Sequence, residues 1–212
     1  MQNSYIKTPK SINFKNIEEK CFALSSSLYM DLIMSNKNYK LVSDFLSRPL
    51  KKSDLGIEVG RINYIYKSPY YFLRTKALQP HSFLPEITAE SSKPVMPSAF
   101  VNSNLKEGDL LISKDSNIGE IIILDKDYPN FMTSSAIYKL PIKKYKYYLL
   151  AFIKHNFFRE QLNFMVPKGA TIRHAKTIFL DCKIPLPNIN KEKTIDFVEM
   201  IIKAIINKEK LI

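Results

Sequence analysis

Two short apolar runs separated by a polar turn form the clearest pattern in the chain. Residues 110–112 and 121–124 are continuous and rich in β-prone side chains, which is typical of buried strands. The residues between them read SKDSNIGE, and Gly119 can adopt the positive φ that a tight turn needs. The pattern predicts a hairpin, although an ordinary solvated turn has the same polar tip. The side chains presented at this tip are Lys114, Ser116 and Asn117.

Further strands and helices are predicted on either side of the hairpin. Residues 133–140 read as one more strand, and β-branched residues around Gly56 and Gly60 indicate strands with a bulge or tight turn. A helix is expected over residues 143–165, where apolar side chains recur at helical spacing. Residues 17–34 have a weaker helical pattern, which a serine triplet interrupts.

Aromatic and basic residues are interleaved in residues 68–80, and a proline-rich stretch follows. Such a mixture can stack on nucleic-acid bases, but Tyr70 and Phe72 also have the spacing of core residues in a strand. Arg74 lies beside them and is a candidate for contact with base edges. The prolines at positions 80–97 predict a long loop, because proline is excluded from central strands and helix interiors.

The last part of the chain, from Lys191 onwards, predicts a helix with an apolar seam. The spacing of the seam alternates between three and four residues, as in a coiled coil. The seam residues are Ile195, Val198, Ile202 and Ile205. The stripe also includes Phe197, Ile201 and Ile206. Because an isolated helix would not leave this much apolar surface in water, we expect it to pack against a partner.

The positive charge of the chain is concentrated in one segment. The formal net charge is +12. Residues 129–190 contain ten lysines and arginines against two acidic residues, so this segment carries +8 of the total. Such asymmetry is what a phosphate-tracking surface requires, and we expect a polyanionic partner. A coding bias towards lysine would raise the net charge in the same way.

A loop around Gly169 gathers polar and basic side chains. Glycine allows the backbone to approach a ligand closely, and arginine offers a bidentate donor to a base edge. A simple turn with solvated cations is the alternative for this loop. The candidates for DNA contact here are Lys168, Thr171, Arg173, His174 and Lys176. Lys143 and Lys144 are further candidates for contacts with phosphates.

The sequence lacks the patterns of several other kinds of site. Cys21 and Cys182 are isolated, so neither a metal site nor a disulfide framework is expected. His155 has no ligand-type partner one helical turn away, which favours a surface histidine. No apolar run approaches the roughly 18 residues of a membrane span, and the N-terminus has no signal-peptide core. A cytoplasmic protein is expected.

The sequence also lacks the common catalytic motifs. The chain contains no Asn/Asp-Pro-Pro-Tyr methyltransferase motif, no GxGxxG, no Walker A sequence and no GxSxG. Glu18 and Asp181 each precede a lysine by two residues, as in some metal-dependent nucleases, but no upstream carboxylate completes a magnesium site. The sequence therefore predicts a protein that is not an enzyme and binds no cofactor.

Three stretches resemble the target recognition domains of specificity subunits in type I restriction-modification systems. Residues 105–119, LKEGDLLISKDSNIG, are similar to the family's GD pair followed by apolar residues and spaced glycines. Residues 169–188, GATIRHAKTIFLDCKIPLPN, are similar to its Gly-x-Thr segment that ends in Pro-x-Pro. Residues 39–49, YKLVSDFLSRP, resemble the start of the domain. The three stretches follow the order found in the family.

The resemblance implies an α+β fold. We expect one target recognition domain with a mixed, strongly twisted β-sheet and buttressing helices, followed by a C-terminal coiled-coil-like helix. The implied parts are a lead-in segment at 1–38, the recognition domain at 39–188 and a spacer or dimerisation helix at 189–212. The chain departs from the family in having Glu192-Lys193 where Glu-Gln is usual and in having a short spacer helix. Neither motif repeats, so half of a two-domain subunit is expected.

The resemblance also implies a function and partners. The chain would be a specificity module that recognises a half-site in double-stranded DNA. Its helix would dock methyltransferase subunits, which supply S-adenosylmethionine, as well as restriction subunits, or would pair with a second copy of the chain. Two alternatives are a recognition domain detached from a single-chain restriction-methylation enzyme and a basic protein that binds RNA or DNA without sequence preference.

Overall fold

The computed structural model of the chain describes residues 5–22, 29–166 and 176–211. The strands, in chain order, are β1 Ile6–Lys7, β2 Asp31–Leu32, β3 Tyr39–Leu41, β4 Tyr71–Leu73, β5 Ser92–Pro94, β6 Leu110–Ser113, β7 Ile121–Ile123, β8 Phe131–Thr133, β9 Ile137–Leu140 and β10 Lys183–Pro185. The α-helices are α1 Phe14–Glu19, α2 Lys146–Lys154, α3 Asn156–Met165 and α4 Lys191–Glu209.

The predicted hairpin is present and forms part of a buried antiparallel sheet. β6 pairs with β7 on one side and with β9 on the other. Every residue of β6 and β7 is buried, which explains why both strands are continuous apolar runs. Ser113 lies opposite Ile137, whereas Leu110 lies opposite Leu140. The tip of the hairpin is therefore at the Ile137 end of β9.

A second three-stranded sheet is mixed. β4 pairs antiparallel with β5 and parallel with β8. Two antiparallel pairs, β1 with β2 and β3 with β10, complete the pairing of these ten strands, and isolated bridges join other described residues. The predicted α+β fold with mixed strand pairing is confirmed, although its strands are divided among several small sheets.

The predicted strand 133–140 and the predicted helix 143–165 are each divided in two. β8 ends before Ser134, whose Oγ accepts a hydrogen bond from the backbone N–H two residues on, at 3.1 Å. Serine side chains that bond nearby backbone groups favour turns over strands. α2 ends before His155, whose ring accepts a hydrogen bond from the Phe157 N–H at 3.1 Å. This exposed histidine is therefore the N-cap of α3.

The strands predicted around Gly56 and Gly60 were wrong. Within the described chain this segment contains two single-turn 3-10 helices, Lys52–Asp54 and Arg61–Asn63, together with isolated bridges. The Asp54 carboxylate closes the first turn by accepting a backbone hydrogen bond of 2.7 Å. Side chains that bond the backbone locally compete with strand pairing.

The helix predicted over residues 17–34 was also wrong. α1 ends at Glu19, and Asp31 and Leu32 pair with β1. No residue of α1 is buried, so its apolar positions have no core against which a longer helix could pack. The serine triplet lies outside the described residues.

The main core lies between the β7-β6-β9 sheet and helices α2, α3 and α4. Ile112 and Ile121 from the sheet belong to the same buried cluster as Leu149, Phe158 and Ile195 from the helices. Cys182 is part of this cluster, and burial raises the pKa of its thiol to about 12. α4 therefore contributes directly to the stability of the domain.

Polar contacts also attach α4 to the rest of the chain. The Glu199 carboxylate accepts a hydrogen bond of 3.1 Å from the Tyr147 N–H at the start of α2, where no residue of α2 provides a cap. The Glu209 carboxylate accepts a hydrogen bond of 3.0 Å from the Phe83 N–H in the proline-rich loop. The middle and the C-terminal end of α4 are thus held against the domain.

The apolar seam predicted for α4 is used partly within the chain. Ile195 and Ile202 are buried in the main core, together with Ile206. The spacing that suggested a coiled coil is explained by packing along α2, because any helix pair buries side chains at intervals of three and four residues. Val198 is half-buried and Ile205 is exposed.

Candidate nucleic-acid interface

The hairpin tip exposes two of its three predicted contact residues. Ser116 has a left-handed backbone with φ 62°, and Gly119 has φ 80°, so the turn reverses within a few residues. Ser116 and Asn117 are exposed. Lys114 is half-buried, and its ammonium pairs with the Asp115 carboxylate at 2.5 Å. The tip therefore presents a hydroxyl and an amide in place of a free cation.

A buried charge cluster supports the base of the hairpin. The Arg159 guanidinium contacts Glu120 Oε1 at 2.5 Å. Glu120 Oε2 has no hydrogen-bond partner among the described residues and lies 3.9 Å from the Lys154 ammonium. Burial lowers the pKa of Lys154 to about 8, while Glu120 acts in the opposite direction. These contacts fix the hairpin to α2 and α3.

A cleft of about 660 Å³ opens beside the hairpin tip. We call it the basic cleft and define it by six of its lining residues. These are Glu58, Arg61, Tyr64, Arg74, Lys93 and Ser116. Arg74 directly follows β4, Lys93 lies in β5, and Tyr64 is bridged to Val95 at the end of β5. The mixed sheet and the hairpin thus bring distant segments of the chain together.

The electrostatics of the basic cleft are dominated by cations. Burial raises the pKa of the Tyr64 hydroxyl, Arg74 and Arg61 act to lower it, and Glu58 acts to raise it. Arg74 donates a hydrogen bond of 3.2 Å to the Glu90 carbonyl. In the described residues, none of Arg61, Arg74 and Lys93 forms an ion pair. Their charges remain available to an anionic ligand.

The other predicted contact residues lie apart from the tip. Lys143 and Lys144 follow the Leu140 end of β9, which is opposite the hairpin tip in the strand register. The Lys144 ammonium lies 4.5 Å from the centre of the Tyr145 ring. Lys176 is exposed and has φ 46°. Lys168, Thr171, Arg173 and His174 lie outside the described residues.

A second, smaller cavity lies beside the hairpin tip. It measures about 260 Å³ and is lined by Ser116, Asn117, Glu120, Arg159 and Val166, among others. Val166 is the last described residue before the segment that contains the predicted Gly169 loop. The tip therefore borders both cavities.

Four residues of the basic cleft were not among those predicted from the sequence, namely Glu58, Arg61, Tyr64 and Lys93. The stretch from Gly60 to Lys67 reads GRINYIYK and places two tyrosines between two basic residues, which is a pattern suited to nucleic-acid contact. It was interpreted as strands instead. Tyr66, in this stretch, is fully exposed, and Ile62 is 85% exposed. Exposed large apolar side chains on a basic loop also indicate an interaction surface, but this exposure is visible only in the structure.

None of the described helices has the length and apolar character that crossing a membrane would require. Within residues 5–22, 29–166 and 176–211, no cluster of three or more histidine, cysteine or acidic side chains could hold a metal ion.

Solved structures similar to this chain include three from type I restriction-modification systems. One, concerned with complex assembly and conformational transition of the type I system, has 13% identity and a TM-score of 0.48, and the match covers 85% of this chain and 42% of that chain. The S subunit from M. genitalium has 14% identity and a TM-score of 0.47, with coverage of 79% and 39%. The HsdS subunit from Thermoanaerobacter tengcongensis has 13% identity and a TM-score of 0.44, with coverage of 79% and 41%.

This chain spans about two fifths of the length of each of those structures. Among curated proteins, none matches the sequence significantly. The sequence model of one family, described as the type I restriction modification DNA specificity domain, matches residues 57–212, which is well over half of the chain. The chain therefore belongs to the family of type I restriction-modification DNA specificity domains.

Proposed function

We propose that this chain recognises a short half-site in double-stranded DNA through the basic cleft and the hairpin tip. The observation that carries the proposal is the convergence of Arg61, Arg74 and Lys93 beside Ser116. Cations without ion-pair partners can neutralise phosphates, and guanidinium groups can also donate two hydrogen bonds to guanine. A cleft with both kinds of group suits a ligand that combines phosphates with base edges.

The proposed contacts divide into two roles. Lys93 and four predicted lysines contact phosphates and position the DNA. The predicted lysines are Lys143, Lys144, Lys168 and Lys176. Contacts with base edges come from Arg74, Ser116, Asn117 and Arg173, and the neighbours of Arg173 in the sequence, Thr171 and His174, are further candidates for contact with DNA. Lys114 joins the phosphate contacts only when a phosphate replaces the Asp115 carboxylate as its partner.

We also propose that the exposed face of α4 docks protein partners. The side chains on this face are Phe197, Met200, Ile201 and Ile205, which remain exposed while the opposite face is buried. The partners would be methyltransferase subunits, which bind S-adenosylmethionine, together with restriction subunits or a second copy of this chain. Two copies related by a twofold axis would recognise a bipartite palindrome with a fixed spacer.

Selection of binding sites from a random duplex library by the full chain tests the proposed function. We expect enrichment of one short sequence. Arg74→Ala should relax the preference at one base pair by about 1–3 kcal/mol, because a base contact is lost. Lys93→Ala should weaken binding to every sequence and reduce the salt dependence by about one charge. Lys15→Ala, an exposed lysine in α1 outside the cleft, is the matched control.

The same selection distinguishes the proposal from non-specific binding. Equal binding to all DNA sequences and to RNA, with a strong salt dependence, would contradict the proposed function and favour a general basic binding protein. If Arg74→Ala weakened binding by the same factor whatever the base pair at each position, Arg74 would not contact a base edge.

A further inference from the structure

One carboxylate is placed among the cations of the basic cleft. Glu58 is exposed and lines the cleft with Arg61, Arg74 and Lys93. Its Oε2 accepts a hydrogen bond of 2.6 Å from the Ser135 hydroxyl. Within the described residues, Glu58 forms no ion pair. Glu58 is therefore an exposed hydrogen-bond acceptor within a cleft whose other charged lining residues are cations.

The position of Glu58 is fixed by backbone contacts that precede it. The Gly56 N–H donates to the Ile137 carbonyl at 3.0 Å, and the Ile57 N–H donates to the Thr133 carbonyl at 2.9 Å. Ser135 belongs to the turn that these two carbonyl groups flank. The backbone before Glu58 and its carboxylate are therefore attached to the same turn, which holds the carboxylate at a defined place in the cleft.

A carboxylate has a restricted choice of partners on DNA. It only accepts hydrogen bonds, and it repels phosphate oxygens. The groups on DNA that can donate to it in the major groove are the exocyclic amino groups of cytosine and adenine. In adenine the amino group lies next to the N7 acceptor, which would face the second carboxylate oxygen. Cytosine has no acceptor beside its amino group on that edge, so it is the better partner.

We infer that Glu58 is a specificity-determining residue, which accepts a hydrogen bond from the 4-amino group of a cytosine in the recognised DNA. Arg61 and Arg74, in the same cleft, can donate to the guanine paired with that cytosine. The cleft thus contacts both bases of one G·C pair, with an acceptor for the cytosine and donors for the guanine. Ser135 is a positioning residue for the carboxylate. This inference rests on the proposed function.

The test compares the full chain with two variants at this position. The site is first selected from random duplexes by the unmodified protein. Glu58→Ala should lose the cytosine preference at one position, by about tenfold to a hundredfold. Glu58→Gln should move the preference at that position towards adenine, because an amide can pair with both the amino group and N7 of adenine. Glu18→Gln, an exposed acid in α1, should change neither.

A chemical probe removes only the amino group from the DNA. The selected cytosine is replaced by 2-pyrimidinone, which lacks the 4-amino group. The unmodified protein should lose about tenfold to a hundredfold in affinity, whereas Glu58→Ala should lose much less on the same replacement. The salt dependence of binding should be the same in both proteins, because Glu58 contacts no phosphate.

Different results overturn the two proposals. Suppose that the unmodified protein is selective and that Glu58→Ala is equally selective, or equally sensitive to loss of the amino group. Either result would overturn the inference and leave the proposed function in place. Glu58→Ala affinities that change by the same factor on every sequence would also overturn the inference. An unmodified protein without any sequence preference would overturn the proposed function, and the inference with it.

Discussion

At the scale of single residues, the charges beneath the hairpin are held at a cost in stability. The Lys154 side chain is 9% exposed, and its ammonium donates to the Gln79 carbonyl at 2.5 Å. Burial lowers its pKa from the ordinary 10.5 to about 8, and the nearby Glu120 offsets only part of this effect. The folded chain therefore releases the Lys154 proton at a lower pH than the unfolded chain.

Replacing this lysine should change the pH dependence of stability. Between pH 8 and pH 10.5 the unfolded chain binds more protons at Lys154 than the folded chain, so stability from this site rises with pH. From pH 8 to pH 10 the free energy of unfolding of the unmodified protein should rise by about 2 kcal/mol relative to that of Lys154→Met. Urea unfolding of both proteins at both pH values measures this difference.

The difference between the unmodified protein and Lys154→Met excludes the contributions of other groups that titrate between pH 8 and pH 10. Cys182, whose pKa burial raises to about 12, is present in both proteins and contributes equally to both. A stability difference that stays constant from pH 8 to pH 10 would show that the Lys154 ammonium is not destabilised by burial. Below about pH 7 the difference should be nearly constant, because the lysine is then mostly charged in both states.

At the scale of elements, the segment that carries Glu58 depends on a close backbone contact. A Cβ on Gly56 would lie 2.2 Å from the carbonyl oxygens of Thr133 and Ser134, whereas a Cβ on Gly60 would have no neighbour closer than 4.0 Å. Gly60 has φ −61°, a conformation that alanine adopts without strain. The two glycines are thus a matched pair within one segment.

Alanine at these two positions should have opposite consequences. Gly56→Ala should lower the free energy of unfolding by at least about 2 kcal/mol, because backbone atoms of the turn after β8 must move. Gly60→Ala should change it by less than about 1 kcal/mol. Urea unfolding measures both values. Equal effects would show that the close packing of Gly56 on the turn does not constrain this segment.

Elements with a strong local pattern could be predicted from sequence. The hairpin was identified because its apolar runs and Gly119 are adjacent in the chain, and α4 because it runs over 19 residues. The division at His155 could not be predicted, because histidine is seldom an N-cap and the apolar spacing continues across it. The resemblance to type I specificity subunits is confirmed by the family match. The expectation of a protein without catalytic activity is confirmed with it, since that family recognises DNA.

The candidate site was harder to predict than the fold. Arg74 and Ser116 were chosen separately, and only the pairing of β4 with β5 brings Arg74 together with Lys93 and Tyr64. Such contacts depend on strand register, which is set by pairing partners far away in the sequence. The contacts assigned to Arg173 and its loop remain predictions, since these residues lie outside the described ranges.

At the scale of the whole molecule, α4 has two different faces. Ile195, Ile202 and Ile206 complete the main core, and the opposite face exposes Phe197 and Met200. Deletion of residues 191–212 would therefore remove part of the core as well as any docking surface. A test of docking has to change the exposed face and leave the buried face intact.

Substitution of the exposed face should alter association without unfolding the chain. We expect the unmodified protein to be a dimer by light scattering and the double variant Phe197→Ser, Met200→Ser to be a monomer with an unchanged midpoint of thermal unfolding. Both side chains are more than half exposed, so their loss costs the monomer little core packing. Ile202→Ala, on the buried face, should instead lower the free energy of unfolding by about 2–4 kcal/mol. A monomeric unmodified protein would contradict self-association. Methyltransferase subunits would then be the proposed partners of this face, and the same double variant should abolish their binding.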